Sequence, residues 1–217
     1  MGRVTSSTPA SASGPAAYRD VLRMPGVLRL VILSTLARVP QTAAGVALTL
    51  HVARTLGAGY ATAGLVVAAS TVGMTIGGPW RGRVIDRQGV RRAFVPSIVV
   101  GGGAWLVSPL LHPAGLLVAG FIGGLLALPI FTVTRQSLAV LVPEDRRRVV
   151  FSLDSIGTEV SFMIGPALGV LVATQWSSYA ALVLLGVATV AAGLAFWLLD
   201  PPTRSREEEQ QDGAQVR

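Results

Sequence analysis

Apolar residues in this chain fall in long, nearly continuous runs rather than alternating or marking one helix face. A helix rising about 1.5 Å per residue needs about 20 apolar residues to cross a hydrocarbon core about 30 Å thick. Six runs reach that length, at about 30–53, 61–80, 93–111, 114–134, 149–174 and 179–199. They predict an all-α membrane protein, a six-transmembrane-helix bundle with its transmembrane domain over 27–199. Residues 1–26 are small, polar and rich in Pro and Ser, and the run behind them is too long for the core of a cleaved leader. They are expected to form a disordered tail. Residues 200–217, from Asp-Pro-Pro through Glu207, Glu208 and Glu209, are expected to form a second one.

Composition agrees with the pattern. The chain is 51% hydrophobic and 13% charged, with mean hydropathy +0.60, too little charge to cover a soluble domain of this length. It has no cysteine, which excludes a disulfide framework, a thiolate metal site and a catalytic thiol. Every basic residue is Arg. The side that holds both chain ends carries 16 of them, against Arg54 alone on the other, and Arg38 lies within the first run. That asymmetry predicts a multi-pass protein of the cell (inner) membrane with both termini in the cytoplasm. It also explains the pI near 11.3 without a nucleic-acid partner, because the Arg are confined between the runs. Tyr60, Trp176 and Tyr179 fall at one set of span ends and Trp80 and Trp197 near the other, as interfacial aromatics do.

The segment between the second and third runs reads Gly82-Arg83-Val84-Ile85-Asp86-Arg87-Gln88-Gly89-Val90-Arg91-Arg92. Orientation alone accounts for the Arg, but not for an Asp-Arg pair set between two glycines. Gly82 suits a close backbone approach and Gly89 a turn with positive φ. Asp86, among five Arg, is expected to be ionised and paired. This segment resembles the cytoplasmic loop signature of the major facilitator superfamily. The resemblance implies that Gly82, Asp86, Arg87, Gly89, Arg91 and Arg92 act as a latch that biases inward- against outward-facing states. Val90 and Gln88 depart from the pattern, where a basic and an aromatic residue are usual, so the individual loop contacts do not carry over.

In the fifth run Gly157, Ser161, Gly165 and Gly169 recur every four residues, with Pro166 among them. Residues four apart share a helix face, and small side chains there let another helix approach closely in lipid. The segment Gly165-Pro166-Ala167-Leu168-Gly169 also resembles the fifth-helix motif of proton-coupled drug antiporters. Close helix packing and an antiporter role would both use these residues.

Ionisable groups inside a membrane are costly and face a cavity or a partner. Arg38 and Glu159 sit at similar depth in two spans that run the same way, within about 3 Å by rise per residue. They are expected to pair. Asp154 lies on the small-residue stripe, nearer the cytoplasm, with Arg135 as its expected partner. Gln41, one turn beyond Arg38, is expected to line the same cavity. A carboxylate exchanging an Arg for a proton and a static ion pair both fit this set. His51 is expected at the interface and His112 in a loop.

The resemblance covers about residues 28–199, and the stretch from Arg135 to Gly169 is also similar to bacterial exporters of the superfamily. It implies a transporter rather than an enzyme: proton-coupled efflux of a small molecule by alternating access, with no cofactor beyond the proton gradient and no metal. His-Glu-x-x-His, Gly-x-Ser-x-Gly and a phosphate-binding Gly-Lys loop are all missing from the sequence. Pro40 and Pro129, and Gly78-Pro79 and Gly165-Pro166, occupy matching places in two three-helix halves, as inverted repeats would place them. Six spans make one half of such a transporter. A second six-helix half or a homodimer partner is therefore expected, and a truncated or accessory subunit without transport of its own is the alternative.

Overall fold

A peptide group without a partner is costly in lipid, and a helix closes its bonds within one segment. The computed structural model of the protein describes residues 14–203. All regular structure among them is helical. Six helices are long and apolar enough to cross a membrane: Val27–Thr55, Gly59–Gln88, Val90–Leu110, Pro113–Leu141, Glu144–Gln175 and Ser178–Leu199. They are called the first to sixth spans below. The outermost parts of both expected tails, 1–13 and 204–217, lie outside the described residues.

The helices outrun the apolar segments on the Arg-rich side. Residues 81–88 continue the second span and 135–141 continue the fourth, where sequence led us to expect loops. Hydropathy falls where the charged residues begin, but Arg, Gln, Val and Ile are compatible with a helix, and Arg81, Ile85 and Leu138 stay buried within the bundle. The second span stops only at Gly89, whose φ of +82° an L side chain rarely adopts. The segment of the expected tail within 15–22 is also a helix, Pro15–Leu22. Proline suits its first turn, and Val21 is buried in the core beside Val27 and Val150.

Two apolar clusters fill the bundle. One, on the Arg-rich side, gathers Leu30, Ile85, Phe94, Ile130, Leu138 and Phe196, with the two Phe rings stacked at 5.5 Å. The other gathers Leu48, Val52, Val66, Trp105, Leu116 and Leu182.

The first span packs most extensively on the fifth, and the second on the fourth. A two-fold operation that carries the first span to the fourth and the second to the fifth exchanges these two pairs, as inverted repeats require. Small residues build both contacts. A Cβ at Gly165 would stand 2.8 Å from the Val39 carbonyl oxygen, and one at Gly73 would stand 2.8 Å from the Leu125 nitrogen. The third and sixth spans also meet, with Gly186 against Leu106 and Gly193 against Ile98.

Candidate functional site

The fifth-span stripe faces the first span. Gly157, Ser161, Gly165 and Gly169 are all buried. Gly157 meets Thr35, Gly165 meets Thr42 and Gly169 meets Ala43. Ser161 donates to the Thr35 carbonyl at 2.8 Å, and Thr42 donates to the Ser161 carbonyl at 2.9 Å. Interhelical hydrogen bonds of this kind fix register where the hydrophobic effect cannot.

That register decides which carboxylate Arg38 meets. Arg38 is fully buried, and its Nη2 donates to Asp154 Oδ1 at 2.6 Å. The expected Arg38–Glu159 pair is therefore corrected: the partner is Asp154. Depth alone suggested Glu159, but a pair must also agree in azimuth. Asp154 lies on the stripe toward the first span, and five residues at about 100° each turn Glu159 about 140° away from it. A long helical side chain also leans toward its own N-terminus, which sends Arg38 back along its helix rather than level with its Cα.

Asp154 has a second cation. Arg135 Nε stands 3.7 Å from Oδ2, and Arg135 itself is largely exposed. The fourth span adds Phe131, whose ring lies 4.7 Å from the Arg38 guanidinium carbon, a cation–π contact that sequence reading missed. A cleft of about 450 Å³ opens beside this cluster, lined by Phe131, Thr132, Arg135, Asp154, Thr158 and Glu159. Glu159 is exposed. Arg38 uses one nitrogen; its Nε and Nη1 have no acceptor among the described residues.

Gln41 does not line this cleft. Its side-chain amide donates to the Leu128 carbonyl at 2.8 Å and borders a separate cavity of about 170 Å³ with Trp105, Ser70 and Thr189. Pro166 lies inside the fifth helix without ending it.

The segment from Gly82 to Arg92 is mostly helix. No neighbour lies within contact distance of a Cβ built at Gly82, so the close approach expected there is made instead by Gly77. Asp86 and Arg87 are exposed. Among the described residues no Arg comes within ion-pair distance of Asp86, which was expected to be paired; the Gln136 amide of the fourth span reaches it at 3.5 Å. A cavity of about 440 Å³ beside Asp86, Arg87 and Gly89 runs to Asp200 and Pro202. Arg91 bridges to the end of the sixth span, 3.2 Å from Asp200 Oδ2 and over the Trp197 ring. Arg92 is exposed.

His51, expected at the interface, is buried by protein near the end of the first span. Its Nδ1 lies 2.8 Å from Ser178 Oγ, and its ring meets Tyr179 edge-on. His112, at a helix start between spans, is exposed.

A family model described as Major Facilitator Superfamily matches residues 30–216. The chain belongs to the major facilitator superfamily. No curated protein and no solved structure matches it. Membership makes this a membrane protein of transporter type. The ion cluster lies between the first, fourth and fifth spans, through Arg38, Arg135 and Asp154.

Proposed function

We propose that the chain is half of a proton-coupled transporter that exports a hydrophobic or cationic small molecule by alternating access, with Asp154 as the coupling carboxylate. The observation that carries this reading is the single-contact pairing of Arg38 with Asp154. A pair serving structure alone favours the two-pronged geometry that satisfies a guanidinium fully. Here two buried Arg38 nitrogens lack acceptors, and Asp154 is contacted from two different spans. A proton and the Arg38 guanidinium compete for the same Oδ1 lone pairs. Protonation thus frees the first span from the fifth, and deprotonation draws it back. Glu159, on the cleft wall, supplies negative charge for a cationic substrate.

A second six-helix body, another copy or a separate half, completes the site in this reading. Glu159 lies midway along a 32-residue span and is exposed. A carboxylate at that depth needs a protein or aqueous neighbour rather than lipid.

The test is flux in proteoliposomes, with ethidium as the cationic probe and an imposed pH gradient. Gradient-driven flux is expected in the native protein. Asp154→Asn should reduce it to the rate of empty liposomes, and Asp154→Glu should recover part of it. Undiminished gradient-driven flux in Asp154→Asn would remove the coupling role. A native protein without flux, alone or with its second half, would favour the accessory subunit.

A further inference from the structure

The fourth span is two rods, Pro113–Leu125 and Ile130–Leu141, joined by a non-helical stretch inside the bundle. The joint lies about 18 Å from the start of the span by rise per residue. Its chemistry follows from Pro129. Proline has no N–H, so the Leu125 carbonyl four residues earlier loses its helical donor, and the residue before proline is pushed out of the α region. Inside a bundle such a carbonyl needs another donor.

Two other spans supply donors. Arg81 of the second span is 5% exposed. Its Nη1 donates to the Gly124 carbonyl at 3.2 Å and to the Leu125 carbonyl, the group Pro129 left open. Gln41 of the first span donates to the Leu128 carbonyl across the joint. Gly77, one turn before Arg81, makes room: a Cβ there would collide with the Leu125 carbonyl oxygen and with Arg81 Nη1. A cation at the C-terminal end of the Pro113–Leu125 rod also complements its dipole. An Arg held this way is not a topology marker, since it lies inside the bundle with no carboxylate partner among the described residues.

The second rod carries the fourth span's whole share of the ion cluster. Phe131 and Arg135 lie in the first and second turns past the joint, against Arg38 and Asp154. The angle at the joint therefore sets whether Arg135 reaches Asp154.

We propose that Arg81 is a positioning residue for the Arg38–Asp154–Arg135 cluster: with Gln41 it clamps the interruption in the fourth span and holds Phe131 and Arg135 against the fifth. The clamp deepens the transport reading, but its test requires no substrate, so either can fail alone.

The absence of cysteine allows spin labels to be placed at will. One pair, at Val118 and Val140, spans the joint; both positions are exposed. A second pair, at Thr132 and Ile156, spans the cleft between the fourth and fifth spans. Electron–electron distance measurements on the full chain in nanodiscs should give one narrow peak for each pair. Arg81→Gln should broaden or split both peaks, and Arg81→Lys, which still donates to carbonyls, should largely restore them. Gln41→Leu removes the other half of the clamp without moving a charge, and it should broaden both peaks even if Arg81→Gln fails to fold. Unchanged cleft distances in Gln41→Leu and in folded Arg81→Gln would overturn the proposal. So would equal broadening in Arg81→Lys and Arg81→Gln, because loss of shape rather than of the donor would then explain it.

Discussion

At the scale of single residues, the buried ion pair decides most. Arg38 and Asp154 are both essentially sealed from solvent, and each is the other's closest opposite charge. Removing Asp154 leaves Arg38 an uncompensated buried charge, whereas Asp154 would keep Arg135 if Arg38 were removed. Asp154→Leu alone is therefore expected to destabilise the bundle by on the order of 3–5 kcal/mol. The double variant Arg38→Met, Asp154→Leu should recover most of that loss, because buried pairs replaced by apolar groups of similar volume are often neutral. Thermal unfolding of the three proteins in one detergent checks this. Non-recovery in the double variant would mean that the pair orders the helices rather than merely neutralising itself. The residues of the pair were legible in sequence as costly charges within apolar runs, but the pairing was not. Hydropathy and rise per residue place a group along the membrane normal and say nothing of azimuth. The angular argument had already put Asp154 on the packing stripe, and the face the first span turns to that stripe settles its partner. Arg81 escaped for the opposite reason. It lies among the Arg of the basic side, where orientation explained every positive charge, and only the carbonyls freed by Pro129 distinguish it.

At the scale of elements, the small-residue contacts do what bulky residues do in a soluble core. The same chemical change should have opposite consequences at two glycines of one helix type. A methyl at Gly165 would press on Thr42 and on the Val39 backbone, which cannot swing aside. Gly165→Ala is expected to cost about 1–3 kcal/mol through overpacking and to loosen the first span from the fifth. Gly82→Ala meets open space, and its helix gains the intrinsic preference of Ala over Gly. It should be neutral or mildly stabilising. Unfolding midpoints for the two variants provide the comparison. The number and order of spans were readable because each apolar run is long and only rarely interrupted by charge. Their ends were less so. Hydropathy marks where lipid stops, while the second span runs on to Gly89 and the fourth to Leu141 on helix-compatible residues. The interruption at 126–129 was hidden inside an apolar run, with Pro129 as its only local sign.

At the scale of the whole molecule, polarity is distributed unevenly around the bundle. The most apolar 18-residue stretches are those of the fourth and sixth spans, with mean hydropathies of 2.3 and 2.4, against 1.3 to 1.6 for the others. The sixth span shows lipid-compatible side chains such as Val183, Leu184 and Val187. The cleft side instead shows Arg135, Ser155 and Glu159, and the second span exposes Thr71 and Thr75, whose hydroxyls turn back on their own helix carbonyls. Lipid on both faces would leave Glu159 charged in hydrocarbon or force it neutral. Water or a second helical body on the cleft side removes that conflict. The two environments separate by thiol chemistry, because every introduced cysteine is the chain's sole thiol. Ser155→Cys should react with a membrane-impermeant maleimide in nanodiscs, whereas Val187→Cys, also exposed in the bundle, should not. If a second six-helix body covers the cleft, adding it should slow Ser155→Cys and leave Val187→Cys unchanged. Equal protection of the two cysteines in the isolated chain would place lipid against both faces, and the cleft would then lose its standing as an aqueous path to Asp154.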